Sequence, residues 1–167
     1  MNEGTLSVPD EQYDRLAALA AARGVSPETQ LARLIDDVLS LARQGRTIDD
    51  REPVALADLA RDAWAHVDTG DATLEVDATV TVDADPGRLS QVFENLYRNA
   101  VQHAGEAVTV TVTAIDDGFA VADDGPGIPE ADREAVFEAG HTDHADGTGL
   151  GLAIVRSIVD AHGWDVT

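Results

Sequence analysis

QVFENLYRNAVQHAG at residues 91–105, DDGPGIP at 123–129 and GTGLGLAIV at 147–155 are the segments that determine which architecture this chain adopts. In the first segment, Asn95 and Asn99 stand four residues apart, so on a helix both side chains leave the same face. Amide oxygens placed in this way can reach one metal ion or the waters around it. The first segment therefore predicts a helix that presents two oxygen ligands to a cation.

The other two segments predict a strand that ends in a turn and a glycine-rich entry into a helix. DDGPGIP ends a strand in a carboxylate and then turns through two glycines. GTGLGLAIV places three alternate glycines before an apolar helical run, which leaves bare N–H groups and a helix N-terminus to receive phosphates. Taken singly, such segments also occur as ordinary turns or tight packing sites. The order of all three favours a nucleotide pocket.

The three segments resemble the N, G1 and G2 boxes of the ATP-binding domain of sensor histidine kinases, in the wider family that includes gyrase, the Hsp90 chaperones and MutL. VFEAG at 136–140 resembles the F box. The resemblance covers about residues 53–167 and implies an α+β fold, a two-layer α/β sandwich of helices on a mixed sheet. It also implies that ATP and Mg²⁺ bind under a mobile lid formed by residues 130–148.

The resemblance assigns roles to residues of each box. Asp123 would accept a hydrogen bond from the adenine amino group as a buried carboxylate, and Gly125 and Gly127 would let the backbone pass close to the base. Asn99 would hold Mg²⁺, with Asn95 as its partner on the phosphate side. The other residues implied in ATP binding are His103, Ile128, Phe137, Gly147, Thr148, Gly149, Leu150 and Gly151.

Some positions depart from the family pattern. Asp124 stands where the family usually has Asn, and so adds a negative charge close to the site. Gln102 stands where many relatives carry a cation, which leaves Mg²⁺, backbone amides and Arg98 to meet the phosphate charge. Asn95 occupies the position where gyrase-type ATPases place the glutamate that activates water, which disfavours simple ATP hydrolysis.

Hydrophobic periodicity and turn residues predict the remaining elements of this part of the chain. The predicted helices cover 54–67, 86–104, 130–138 and 149–162, and the predicted strands cover 73–77, 79–83, 107–115 and 118–124. WDVT at 164–167 predicts the start of one more strand. In relatives that strand is followed by another, so we expect the sheet to be incomplete at its edge.

The N-terminal 52 residues pose a separate question. Within 31–46, six apolar side chains repeat with a spacing close to 3.5 residues, which is typical of helices that pair. They are Leu31, Leu34, Ile35, Val38, Leu41 and Ala42. This segment resembles the end of the second helix of a kinase dimerisation domain and predicts a homodimer through the N-terminal helices. The phosphoacceptor histidine of such a domain is missing, since the first histidine in the chain is His66.

Residues 5–28 instead follow the order strand, helix, helix, with Pro9 opening the first helix and Pro27 opening the second. The side chains expected to point inward from the first helix are Tyr13, Leu16 and Leu19. This order resembles the ribbon-helix-helix modules of small DNA-binding regulators. Because no basic residue precedes Arg15, we expect a dimerising role rather than DNA binding.

Composition indicates the setting in which the chain works. Eleven basic and 32 acidic residues give a net charge of −21, and every basic residue is arginine. Self-repulsion at that density destabilises a compact chain in dilute buffer, whereas molar salt shortens the screening length to about 3 Å. The composition is typical of a salt-loving, haloarchaeon-like source. Without cysteine or an apolar run near 18 residues, we expect a cytoplasmic protein with no disulfide, membrane span or signal peptide.

These observations predict three parts: a ribbon-helix-helix-like start (1–30), a dimerisation helix with its linker (31–52) and an ATP-binding domain (53–167) whose last strand or strands are missing. The expected function is to bind Mg-ATP and transfer its γ-phosphate to a histidine of another protein, an acceptor domain that works with a response regulator. One alternative is a module that binds ATP and dimerises without transferring phosphate. Another is a ribbon-helix-helix transcription regulator with a nucleotide-binding tail.

Overall fold

The computed structural model describes residues 9–22, 26–42, 50–105, 107–138 and 149–167. The α-helices in these ranges are α1 (Asp10–Ala22), α2 (Pro27–Ala42), α3 (Leu56–Trp64), α4 (Pro86–Ala104) and α5 (Gly151–His162). The strands are β1 (Glu52–Ala55), β2 (Thr73–Asp77), β3 (Thr81–Ala84), β4 (Thr109–Ile115) and β5 (Gly118–Asp123), and Ala135–Phe137 form a 3₁₀ turn.

The strands form two separate sheets. The larger sheet has the order β2-β4-β5, with β2 parallel and β5 antiparallel to the central strand β4. The smaller sheet pairs β1 with β3 antiparallel. Alternation along β4 sets its faces, because Val110 and Val112 are buried while Thr109, Thr111 and Thr113, which alternate with them, lie on the other face. The predicted strand with one dry face is confirmed.

Helices α3, α4 and α5 cover the dry face of the larger sheet and enclose the core. Its largest fully buried side chains include Tyr97, Phe93, Leu56, Leu89, Ile154 and Ile158. The Tyr97 hydroxyl donates to the Ala60 carbonyl at 3.1 Å, so the polar tip of this buried ring keeps a partner. Burial raises the pKa of that hydroxyl. The predicted two-layer α/β sandwich is confirmed.

The ends of α4 and α5 follow from local sequence. Asp85 caps α4 by accepting the Arg88 N–H at 3.1 Å, and Pro86 occupies the first turn. Gly163 ends α5 in the left-handed conformation, at φ 70°. The predicted starts and stops of these two helices are confirmed to within two residues.

Three predicted elements differ from the structure. The helix predicted from residue 54 begins at Leu56, because residues 52–55 pair with β3 as a strand. The helix predicted over 130–138 is limited to turns and the short 3₁₀ segment. The strand predicted from Trp164 is wrong, since residues 164–167 have no regular structure. The Trp164 N–H donates instead to the Val159 carbonyl at 3.0 Å and so completes the cap of α5.

The N-terminal helices α1 and α2 pack against each other, and α2 also contacts α5. The prediction that Tyr13 points inward is wrong, since Tyr13 is 46% exposed. It lies on the same face of α1 as the buried Ala20 but about two turns nearer the start of the helix. Leu16 and Leu19 are partly buried, as predicted. The ribbon-helix-helix strand at 5–8 lies outside the described residues. The domain boundaries and the homodimer remain predictions. Among the described residues, no helix is long and apolar enough to cross a bilayer.

Candidate nucleotide site

Two amide oxygens of α4 converge on the first residue of α5. A methyl carbon built on Gly151 would lie 3.6 Å from Asn95 Oδ1 and 3.7 Å from Asn99 Oδ1. The spacing of four residues therefore brings both amides to one point, as the sequence predicts. Because amide oxygens are suitable ligands for a hard cation, this donor set fits Mg²⁺.

The orientation of the Asn95 amide is fixed inside α4. Its side chain is 5% exposed, and its Nδ2 donates to the Gln91 carbonyl at 2.9 Å. The donor side of the amide is thus satisfied one turn back along the helix, which leaves the oxygen as the group that faces Gly151. Burial and this hydrogen bond together preorganise an acceptor at the α5 N-terminus.

The N-terminus of α5 supplies backbone donors beside these oxygens. The residue before the helix, Leu150, provides no side-chain cap to the first N–H groups. Gly149 adopts φ 64°, a left-handed conformation that side chains disfavour, and so it turns the chain into the helix. This end of the helix carries partial positive charge and open N–H groups, which suit phosphate oxygens. Gly147 and Thr148 lie outside the described residues.

Asp123 ends β5 at the other side of the site. Its Oδ1 accepts the Gly125 N–H at 2.9 Å, so the carboxylate is oriented by its own turn. The prediction of a buried carboxylate is wrong for this structure, because Asp123 is exposed at the end of the outer strand of the sheet. The carboxylate is therefore held in place yet open to a ligand.

The glycines of the following turn are required for different reasons. We call residues 124–129 the G1 loop. A methyl carbon on Gly125 would overlap Ala104 Cβ, so the loop packs directly against the end of α4. Gly127 adopts φ 72°, in the left-handed region that favours glycine. The predicted close approach of this backbone to a base remains a prediction, while its approach to Ala104 is observed.

The other predicted site residues lie around this loop and the helix ends. Ile128 is 45% exposed in the G1 loop, and His103 lies in the exposed last turn of α4. Phe137, in the 3₁₀ turn, packs under the Arg156 guanidinium, whose carbon lies 5.7 Å from the ring centre. Arg98 pairs with Glu94 one turn earlier on α4, at 3.4 Å.

Sequence reasoning did not identify His162 as a link between the two helices that carry the site. His162 is 2% exposed; its Nδ1 donates to the Ile158 carbonyl at 2.8 Å, and its Nε2 accepts the Asp85 N–H at 3.1 Å. This pattern requires the neutral ring, and burial lowers the pKa of His162. Because Asp85 caps α4, the bond fastens the end of α5 to the start of α4.

Comparison with known proteins agrees with this geometry. The model of a family described as "Histidine kinase-, DNA gyrase B-, and HSP90-like ATPase" matches residues 84–167. The probable sensor histidine kinase TcrY of Mycobacterium tuberculosis is 39% identical over 167 residues, which cover 90% of this chain and 35% of TcrY. Sensor histidine kinase ZraS of Escherichia coli O157:H7 is 45% identical over 91 residues, which cover 52% of this chain and 20% of ZraS.

Solved structures show the same similarity. The catalytic domain of histidine kinase ThkA is 32% identical with a TM-score of 0.56, and the match covers 68% of this chain and 83% of that domain. Full-length ShkA, solved in complex with AMPPNP, is 34% identical with a TM-score of 0.64, and the match covers 95% of this chain and 35% of ShkA. The chain thus spans about a third or less of the curated relatives' own length.

Proposed function

Because this chain belongs to the histidine kinase-, DNA gyrase B- and HSP90-like ATPase family, we propose that it binds ATP with Mg²⁺ and positions the γ-phosphate for transfer to a histidine. Its similarity is to the ATP-binding catalytic domains of two-component sensor histidine kinases. The observation that carries the proposal is the convergence of the Asn95 and Asn99 oxygens at the N-terminus of α5.

That convergence supports separate binding positions for the cation, at the two asparagines, and for the phosphates, at the start of α5. Asn99 would hold Mg²⁺ with Asn95 as its partner, since Mg²⁺ is usually bound by only a few protein oxygens. The first N–H groups of α5, which have no side-chain cap, would receive phosphate oxygens. When bound, Mg²⁺ neutralises the charge of the phosphates. Gln102 brings no positive charge to this arrangement, so Mg²⁺ and the backbone N–H groups would meet more of the phosphate charge.

The base occupies the opposite end of the site. Asp123 accepts a hydrogen bond from the exocyclic amine of adenine, with its other contact made to the Gly125 N–H. Ile128, exposed in the adjoining loop, gives the base an apolar surface. His103, Phe137, Gly127, Gly149 and Leu150 complete the proposed ATP-binding residues within the described ranges, and Gly147 and Thr148 extend the set beyond them.

The transfer itself requires an acceptor imidazole. The acceptor ring nitrogen forms a bond to the γ-phosphorus while the bond to the bridging oxygen breaks, and ADP leaves with that oxygen. Residues 1–65 contain no histidine, so we propose that the acceptor imidazole belongs to a separate acceptor domain outside them, from which a response regulator takes the phosphoryl group. The N-terminal helices α1 and α2 form the proposed homodimer contact.

A phosphotransfer assay tests this function. The full chain is incubated in molar KCl with γ-labelled ATP, Mg²⁺ and a separate histidine-containing acceptor domain, with Asn99→Ala as a matched variant. The proposal predicts label on the acceptor histidine, stable to base and lost in acid, and little label with the variant. A chain that binds ATP but never labels an acceptor would instead support the alternative of a module that binds ATP and dimerises without transferring phosphate.

A further inference from the structure

The side chain of Asp124 accepts one of the last hydrogen bonds between β4 and β5. In the register of these strands Val110 lies opposite Asp123, so Thr109 and Asp124 form the next pair. The Asp124 N–H donates to the Thr109 carbonyl at 3.2 Å, as in an ordinary ladder. The Thr109 N–H, however, donates to Oδ1 of the Asp124 side chain, at 2.8 Å. The carboxylate thus fastens the G1 loop at the point where its backbone leaves the sheet.

This bond connects the two walls of the nucleotide site. Thr109 begins β4 directly after the turn that leaves α4, in which the Val108 N–H donates to the Gly105 carbonyl at 3.3 Å. On the loop side, Asp124 lies between Asp123 and Gly125, which packs against Ala104 at the end of α4. The position of the Asp123 carboxylate relative to α4 therefore depends on how Asp124 is held.

We propose that Asp124 is a positioning residue for base recognition: by binding the Thr109 N–H it holds Asp123 where an exocyclic amine can meet it. This inference rests on the proposed function, in which Asp123 recognises adenine. It also gives a structural role to the negative charge that Asp124 adds close to the site, because that carboxylate has a specific donor in the Thr109 N–H. The role needs an acceptor oxygen rather than a charge, so asparagine fulfils it and alanine does not.

The test compares ATP with inosine triphosphate, whose base carries a carbonyl oxygen in place of the amine. Calorimetry of the full chain in molar KCl with Mg²⁺ gives the Kd of each nucleotide and hence their ratio. We expect the parent to prefer ATP by about tenfold to a hundredfold, the value of one charge-assisted hydrogen bond. Asp124→Ala should reduce that preference about tenfold by weakening ATP while inosine triphosphate binding changes little.

Three further variants distinguish an effect on the position of Asp123 from an effect of the Asp124 charge and from a general loss of stability. Asp124→Asn keeps the acceptor and should keep the parental preference. Thr109→Pro removes the donor from the other side of the same bond, at the first residue of a strand where proline is tolerated, and should match Asp124→Ala. Asp117→Ala, in the exposed β4–β5 turn, removes a carboxylate remote from the bond and should behave as the parent. If one of the two bond-breaking variants does not fold, the other carries the comparison.

The outcomes distinguish this inference from the function on which it rests. A parent that prefers ATP, with the same preference in Asp124→Ala and Thr109→Pro, overturns the positioning role and leaves the proposed function intact. Loss of preference in Asp124→Asn equal to that in Asp124→Ala also overturns it, since charge would then be the cause. A parent that binds both nucleotides equally overturns the adenine role of Asp123 and the inference with it.

Discussion

Replacing Gly151 with alanine should change two properties of this chain in opposite directions: its stability should rise and its affinity for a nucleotide should fall. The added methyl carbon would lie 3.6 Å from Asn95 Oδ1 and 3.7 Å from Asn99 Oδ1, which are ordinary van der Waals contacts. Gly151 is the first residue of α5, and its φ is not positive. Since alanine is favoured over glycine in helices, the free energy of unfolding should rise, by up to about 1 kcal/mol.

The same methyl group should weaken Mg-ATP binding. It fills the space between the two amide oxygens and the first N–H groups of α5, the space that the cation and the phosphates share in the proposed complex. Loss of one charge-assisted contact there costs about 1.5 to 3 kcal/mol, or roughly tenfold to a hundredfold in Kd. The prediction is therefore a protein that melts at the parental temperature or above but binds ATP at least about tenfold more weakly.

Thermal melting and calorimetric titration with Mg-ATP in molar KCl measure the two effects. Gly87→Ala is the matched control, because Gly87 lies in the first turn of α4, where the nearest atom to an added methyl is Asp85 Oδ1 at 3.4 Å. It should gain similar stability and leave ATP affinity unchanged. Parental ATP affinity in a stable Gly151→Ala variant would refute the idea that ligand occupies the convergence point of the two amides.

Three other predictions follow from the site, the fold and the composition. Asp123→Asn should raise the Kd for ATP by about tenfold to a hundredfold in calorimetry, and unchanged affinity would exclude the adenine contact. Because burial lowers the pKa of His162 in the folded chain, the unfolded chain takes up the proton first, at a pKa of about 6.5. Stability is then full above that pH and falls below it by up to about 1.4 kcal/mol per pH unit. Denaturant titrations from pH 5 to 8 should show this loss in His66→Asn, at an exposed position, and a smaller loss in His162→Asn; equal slopes would contradict the assignment. The net charge of −21 predicts a higher melting temperature in molar than in dilute KCl, and equal melting would count against charge repulsion.

The parts of the fold that sequence predicts well are those set by local patterns. Pro86 and the capping Asp85 determine where α4 begins, and the four-residue spacing of Asn95 and Asn99 then determines that they share a face. Gly163 ends α5 for a local reason too, since it adopts the left-handed conformation that glycine favours. The boundaries of α4 and α5, and the relative position of side chains on α4, were therefore predictable.

The parts that sequence missed depend on contacts between distant segments. Residues 54 and 55 were predicted to begin a helix but belong to β1, because β3 lies alongside and pairs with them. The bond from Asp124 to Thr109 depends on strand register, which side-chain pattern alone does not specify. His162 acquires its role only when the end of α5 meets Asp85, 77 positions earlier in the chain. Tertiary packing decides each of these outcomes.

Calorimetric titration of the full chain with ATP in molar KCl, with Mg²⁺ and again with a chelator, examines the nucleotide site as a whole. A carboxylate at one end and two amide oxygens at the α5 N-terminus predict saturable binding of one ATP per chain that weakens when the cation is removed. Absence of binding, or binding indifferent to Mg²⁺, would contradict the site described for Asp123, Asn95 and Asn99.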